Sequence, residues 1–243
     1  MKKLFLLLAI IPLFTNAQDS KTKKTNKNIS VGLSFSPNYN YRTLINKDDN
    51  PFSEPTVTSR DKNEIGKLGF STGATVNIKL SKKFEFQTGL YYSDKGYETN
   101  KVALNLPSTG PNVPTHYMAK YQMHYLDIPL KLNYISGQGR LKFIAGAGFS
   151  ANFFLNANTK STIFYGDGRE ENRGTESLTS DFKKFNISAL ASIGLEYKLK
   201  ENIFLRAEPT FQYGFKTVDE PRGGIAEHLW NVGLNVGVHL RLK

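Results

Sequence analysis

Strict alternation of side-chain character is the sequence feature that most constrains the fold of this chain. From Leu68 to Leu80 the even-numbered residues are apolar or threonine, while the odd-numbered ones are glycine, serine, threonine, asparagine and lysine. The alternation resumes after three residues and runs from Phe84 to Tyr92. Because side chains alternate across a β-strand with a period of two, the pattern predicts two antiparallel strands with one long apolar face.

The same alternation recurs along the chain and predicts about eight strands. Each is at least as long as the roughly 9–11 residues that a tilted membrane strand needs. No segment has the periodicity of an amphipathic helix, so the expected fold class is all-β. The predicted strands are 29–39, 68–80, 84–97, 125–134, 141–155, 185–199, 203–216 and 230–242.

The connections between these strands alternate between long and short. The long ones cover 40–66, 98–115, 156–183 and 217–227, and the short ones cover 81–83, 136–140 and 200–202. This rhythm is typical of outer-membrane barrels, in which short turns face the periplasm and long loops face outward. We therefore predict an up-and-down antiparallel transmembrane β-barrel of about eight strands. A barrel of this size is filled by its own side chains, so we expect no open pore.

The amino-terminal segment predicts export. Two lysines precede an apolar run that is too short to cross a bilayer, which indicates a signal peptide over 1–17. A basic tail over 18–28 is predicted to be disordered, and the barrel domain is predicted to cover 29–243. The expected location is the outer membrane of a Gram-negative bacterium, with outer-membrane lipid as a partner.

Composition excludes several classes of function. The chain has no cysteine, so disulfides, thiolate zinc sites and lipid-modified cysteine anchors are impossible. The formal net charge is +11, but the positive charges form no stripe interleaved with aromatic residues. We therefore expect no nucleic-acid partner. The aromatic residues are instead expected to form girdles at both membrane interfaces; this prediction covers Tyr91, Tyr92, Tyr121, Tyr125, Phe153, Phe154, Tyr197, Tyr213 and Trp230.

Several short segments of the sequence resemble segments of a known family. The leader ends in "NAQ", a central strand reads "YLDIPLKLNY", the next reads "FIAGAGFSA", and the last strand alternates glycine with apolar residues. Over residues 29 to 242 the chain resembles the outer-membrane β-barrel domain family that includes PorT-like proteins. The resemblance implies a membrane barrel, and PorT itself is associated with a secretion system.

Candidate catalytic residues lie in and beside the long loops. His116 lies beside the second loop, and His228 lies near Asp219 and Glu220 around the fourth. A catalytic base needs a partner within hydrogen-bond reach, and their spacing does not show that these groups converge.

His124 and His239 are expected to have structural roles. The sequence lacks the hydrolase and metalloprotease motifs G-x-S-x-G and H-E-x-x-H, and "GAGFSA" continues as a strand rather than opening a helix. We therefore assign no catalytic, cofactor or metal residues and expect a non-enzyme that requires no cofactor.

Three functions remain open at this point. The first is a non-enzymatic barrel that displays extracellular loops to partners, or assists secretion or surface assembly. The second is an outer-membrane hydrolase or acyltransferase that uses the loop histidines and carboxylates. The third is a soluble periplasmic lipocalin-like binder, in which the apolar face would point inward. Protein partners at the loops or at the periplasmic face stay unidentified.

Parity also predicts strand register. Three-residue turns set Lys79 opposite Glu85 and Glu196 opposite Arg206, with all four side chains facing the lumen. Because an unpaired buried charge is costly, Glu196→Ala and Arg206→Ala are expected to weaken the barrel to a similar extent. Pro129 and Pro209 fall within strands and predict bulges or local breaks in pairing.

Overall fold

The computed structural model describes residues 29–47, 53–108, 110–178, 182–219 and 224–242. The predicted signal peptide and basic tail lie outside these residues, as does Glu220. No helix within the described part of the chain is long and apolar enough to cross a membrane.

Ten strands and one helix make up the described structure. Their order along the chain is β1 (Ile29–Asn46), α1 (Ser53–Asn63), β2 (Glu64–Lys79), β3 (Phe84–Thr99), β4 (Val102–Ala103), β5 (Pro114–Ser136), β6 (Leu141–Tyr165), β7 (Glu170–Ser177), β8 (Phe185–Lys198), β9 (Ile203–Gly214) and β10 (Ile225–Arg241).

Eight of these strands close into a ring. The antiparallel order is β5-β3-β2-β1-β10-β9-β8-β6, and pairing of β6 with β5 completes the circle. The first and last strands pair along nearly their full length, from Ser30–Arg241 to Asn46–Ile225. Closure leaves no free edge within the membrane, where an unpaired backbone group would cost several kcal/mol. The predicted eight-stranded barrel is therefore confirmed.

The two faces of the barrel wall separate by polarity as predicted. Large apolar side chains point outward, and Leu33 and Leu68 are 72% and 77% exposed. Serine, asparagine and threonine point inward and are buried, as Ser34 and Asn77 illustrate. Such a surface suits hydrocarbon outside and a polar lumen inside.

The strands extend well into the predicted long loops. β1 continues to Asn46, β6 continues to Tyr165, and β5 begins at Pro114. Two short strands were missed: β4 pairs with β5 and β7 pairs with β6. β4, β7 and the parts of β5 and β6 that extend beyond the barrel wall together form a four-stranded sheet, which we call the platform. The end of the barrel that carries it is the long-loop end, and the opposite end is the short-turn end.

Helix α1 lies in the connection 40–66, where a long loop was predicted. Helix α1 is polar along its whole length, so it lacks the apolar stripe that hydrophobic periodicity detects. Its signals are local: Ser53 at the start, Pro55 in the first turn, Glu54 near the amino terminus, and Arg60 and Lys62 in the last turn. Each favours helix formation through capping, a preset backbone angle or the helix dipole.

Both predicted registers are confirmed. Lys79 pairs with Glu85 in the β2–β3 ladder, and Glu196 pairs with Arg206 in the β8–β9 ladder. The prediction for Lys79 and Glu85 was only half right. The two residues are cross-strand neighbours, but the Glu85 carboxylate accepts hydrogen bonds from Arg206 across the lumen. Backbone register alone therefore did not predict which charges meet.

Pro129 and Pro209 interrupt pairing without shifting register. The β3–β5 ladder omits the pair formed by Gly89 and Pro129, and the β8–β9 ladder omits the pair formed by Ile193 and Pro209. The register on either side of each gap is unchanged, so these positions are local breaks rather than bulges. Proline has no N–H to donate at such a position.

Candidate functional site

A buried ion cluster fills the lumen toward the short-turn end. Arg206 of β9 donates two hydrogen bonds to the Glu85 carboxylate, at 2.6 and 2.9 Å, and also binds Glu196 at 2.8 Å. β3 and β9 lie on opposite sides of the ring, so the Arg206–Glu85 pair crosses the lumen. All three residues are at most 6% exposed. The predicted contact between Glu196 and Arg206 is therefore confirmed.

A second ion pair spans the lumen beside the first. The Lys131 ammonium lies 3.1 Å from the Glu208 carboxylate and donates to the Ser192 hydroxyl at 3.0 Å. Both charged side chains are almost completely buried. Buried charges are tolerated only when they are paired and hydrogen-bonded, and these pairs meet that condition.

A small cavity of about 80 Å³ lies in the lumen next to the Lys131–Glu208 pair. Its lining includes Gln87, Tyr91, Asp127 and Lys131. Asp127 binds the Lys95 ammonium at 2.9 Å and accepts hydrogen bonds from Ser93 and Asn152. A cavity of this size has room for a few water molecules, since one water needs at least about 10–15 Å³ of such space.

Apolar side chains close the lumen toward the long-loop end. Met123, Tyr125, Phe154 and Leu229 pack together and are at most 7% exposed. Tyr125 meets Phe154 edge to face, with ring centroids 5.5 Å apart. The prediction of an interfacial girdle was therefore wrong for Tyr125 and Phe154. Both rings face the lumen because Tyr125 and Phe154 occupy the inward parity of β5 and β6. The girdle prediction was also wrong for Tyr91, which lines the cavity, and for Tyr121, which packs against this apolar cluster.

A charged cluster at the long-loop mouth attaches helix α1 to the barrel. Arg60 of α1 binds Glu64 and Glu227, both at 2.7 Å, and donates to the Tyr97 hydroxyl at 2.9 Å. Arg42 of β1 binds Glu64 at 2.8 Å and also pairs with Asp61. Burial lowers the pKa of the Arg60 guanidinium, but the hydrogen bond to Glu64 and the neighbouring Tyr97 and Glu227 outweigh it and raise that pKa above its ordinary value. Helix α1 is thus held across the mouth by a fully charged arginine.

The structure does not bring His116 together with His228. His116 lies on β5, where it pairs with Phe164, and His228 lies on β10. These two strands are diametrically opposite in the eight-stranded ring. The His228 ring stacks on Tyr213 and its Nδ1 lies 3.0 Å from the Gly214 carbonyl oxygen, whereas Asp219 accepts a hydrogen bond from Thr217.

The other two histidines have structural surroundings, as predicted. His239 is buried, stacks on Phe204, and lies 3.1 Å from the side chain of Asn77. His124 stacks on Tyr92, whose hydroxyl lies 2.7 Å from His124 Nδ1. Within the described ranges, no group of three or more His, Asp or Glu side chains is arranged to hold a metal ion.

Sequence reasoning missed two of the charged clusters for different reasons. Lys131 and Glu208 occupy the inward parity of their strands, so parity alone would have placed both in the lumen. Arg60 could not be found in this way, because it lies on a helix within a long connection. Its contact with Glu227 joins residues 167 positions apart in the sequence.

Aromatic side chains do form outward girdles at the two ends of the apolar band. Toward the long-loop end Tyr39 contacts Trp230, and Phe153 contacts Phe185. Toward the short-turn end Phe84 contacts Tyr134. The first group, which we call the upper girdle, marks where the barrel wall leaves the hydrocarbon and the platform begins.

Comparison with known proteins agrees with this architecture. The family model described as "Outer membrane protein beta-barrel domain" matches residues 16–220. No curated protein matches the chain.

Among solved structures, Neisserial surface protein A is 14% identical and covers 88% of this chain and 97% of its own, with a TM-score of 0.46. The outer membrane protein OprG from Pseudomonas aeruginosa is 9% identical, covers 89% and 98%, and has a TM-score of 0.46. The outer membrane protease OmpT from Escherichia coli is 8% identical, covers 92% and 99%, and has a TM-score of 0.45.

Proposed function

This chain belongs to the outer membrane protein beta-barrel domain family, and we propose that within the outer membrane it is a non-enzymatic protein that binds partners with its long-loop end. The soluble lipocalin-like alternative is excluded by the family and by the outward apolar band. The observation that carries the proposal is the filled lumen. Two transverse ion pairs and an apolar cluster occupy it, so transport through the barrel has no path of useful width.

The platform is the surface that supports partner binding. Among the described strands β7 pairs only with β6, and every residue from Glu170 to Ser177 is exposed. The other edge of β7 therefore presents backbone donors and acceptors outside the membrane band. An exposed edge strand of this kind is a common docking element for an extended segment of another protein.

We place the long-loop end outside the cell. Outer-membrane barrels have short periplasmic turns and longer extracellular loops, and this chain has three short turns at one end. This orientation puts the platform and helix α1 on the cell surface. Assistance to secretion or to surface assembly, which the PorT-like resemblance implies, is one form that such partner binding could take.

The enzyme alternative has less support from the geometry. Its candidate base and acid would be His116, His228 and Asp219 or Glu220, and His116 lies on the opposite side of the barrel from His228. A hydrolase of this type would need them within about 3 Å of one another.

Site-specific photocrosslinking on intact cells tests the proposal. A photoreactive residue replacing Asn172 in β7 should give a discrete crosslinked species upon illumination. The matched control replaces Asn202 in the short turn between β8 and β9. Crosslinks of the same mass from both positions, or from neither, would contradict partner binding at the platform.

A further inference from the structure

A patch of hydrogen-bond donors lies on the outer face of β5 and β6 beyond the upper girdle. It has three adjacent cross-strand pairs, which are His124 with Asn156, Gln122 with Asn158, and Lys120 with Lys160. We call these six residues the donor patch. Its side chains are those of amides, lysines and one imidazole, and no carboxylate occurs among them.

Burial of the intervening residues shows that the donor patch faces outward. Ala119, Met123 and Ala157 alternate with its members and are buried on the lumen side, at 6%, 2% and 1% exposure. Lys160 and Asn156 are exposed. The patch therefore continues the face that contacts lipid below the girdle.

The two lysines are directly opposite each other, which is unfavourable without an anion between them. Like charges at paired positions of neighbouring strands destabilise a sheet. The Lys120 ammonium lies 3.6 Å from the Glu98 carboxylate, and both side chains are substantially exposed, so this ion pair is weak. Lys160 forms no ion pair with any described residue. Asp94 lies 3.9 Å from Nδ1 of the patch residue His124, but it is buried and binds Lys67 more closely, at 2.6 Å.

The height of the patch matches a lipid headgroup. Leu126 pairs with Tyr92 and Phe153 at the level of the upper girdle, and Lys120 lies six residues beyond it on the same strand. At roughly 3.3 Å per residue and a tilt of about 35–45°, the lysine backbone stands roughly 15 Å above the hydrocarbon edge. Lysine stems extend along a surface toward charged partners, so the ammonium groups reach the zone between headgroup and solvent.

We propose that the donor patch binds the phosphorylated sugar headgroup of a glycolipid in the outer leaflet. The paired ammonium groups of Lys120 and Lys160 hold a phosphate, and the amides of Gln122, Asn156 and Asn158 hydrogen-bond to sugar hydroxyl groups. Phosphate suits lysine as a compact point charge. The proposal goes beyond partner binding at the platform, and it rests on the proposed orientation only for the choice of leaflet.

The test uses the full-length protein purified from outer membranes and placed in phosphatidylcholine nanodiscs with diphosphorylated lipid A. Native mass spectrometry measures the fraction of protein that retains the glycolipid. Wild type should retain it at least about tenfold more than the double variant Lys120→Gln/Lys160→Gln. The control variant Lys82→Gln/Lys200→Gln removes the same charge from the short turns and should behave like wild type.

Three outcomes would overturn the proposal. The first is equal retention by wild type and the Lys120/Lys160 variant. The second is equal retention of dephosphorylated lipid A, which would show that phosphate is not recognised. The third is full displacement by millimolar inorganic phosphate, which would make the patch a site for free phosphate. Because the assay exposes both ends of the barrel, its result is independent of orientation in the cell.

Discussion

Replacing Arg206 with alanine removes the guanidinium that binds both Glu85 and Glu196 within the lumen. Glu85 loses both hydrogen bonds from Arg206, at 2.6 and 2.9 Å, and Glu196 keeps only Lys142 at 3.7 Å. Breaking a buried ion pair by removing one partner costs about 3–5 kcal/mol. We expect the free energy of unfolding of Arg206→Ala to fall by about that amount.

The free energy of unfolding should fall less in Glu196→Ala than in Arg206→Ala. This corrects the expectation that the two variants weaken the barrel to a similar extent. Arg206 keeps its two hydrogen bonds to Glu85 in that variant, so one charged hydrogen-bonding partner is lost rather than a whole pair. A loss of about 1–3 kcal/mol is expected. The matched control is Arg169→Ala, since Arg169 is 54% exposed and its ion pair with Asp167 is long, at 3.8 Å. That control should change stability by less than about 1 kcal/mol.

Urea unfolding from lipid vesicles, followed by tryptophan fluorescence, measures these differences. Trp230 is the single tryptophan and lies in the upper girdle, so its emission reports loss of the membrane environment. If Arg206→Ala lay within 1 kcal/mol of Arg169→Ala, the lumen cluster would not stabilise the barrel as argued. Equal losses for Arg206→Ala and Glu196→Ala would refute the role of Arg206 as the shared partner.

Three further predictions concern the lumen, the outer wall and the mouth. Planar-bilayer recordings of the wild type should show no large single-channel steps, and reproducible large steps would contradict a filled lumen. Leu33→Arg should lower stability in vesicles by about 2–4 kcal/mol because Leu33 faces hydrocarbon, whereas Arg at an interfacial position should cost about 1 kcal/mol or less. Arg60→Ala should increase proteolysis within α1, measured against Lys62→Ala, because Arg60 holds that helix to Glu64 and Glu227; equal cleavage of both variants would show that Arg60 does not anchor it.

Parity in the sequence was enough to predict the barrel, its strand count and two registers. Those features depend only on which side of the wall each residue occupies, and that alternation is visible from Leu68 to Leu80. Parity did not predict which charged side chains form ion pairs inside the lumen. Glu85 could meet either its cross-strand neighbour Lys79 or Arg206 across the ring, and only the three-dimensional width of the lumen decides.

The long-loop end was less predictable because its signals are local or depend on distant contacts. Helix α1 has no apolar face, so its start at Ser53 and its anchoring by Arg60 escape any analysis of periodicity. Beyond Phe154 the register of β6 shifts by one residue against β5, so Ala157 points inward while Asn156 and Lys160 point outward. A shift of one residue reverses the face of each side chain that follows it.

Cysteine labelling on intact cells tests most directly the claim that the platform is displayed at the surface. The chain has no cysteine, so single-cysteine variants report one position each. Asn172→Cys places a thiol on exposed β7, and Asn202→Cys places one in the turn between β8 and β9. A membrane-impermeant maleimide should label Asn172→Cys on intact cells and Asn202→Cys only after the outer membrane is permeabilised. The reverse pattern would place the platform in the periplasm and contradict the account.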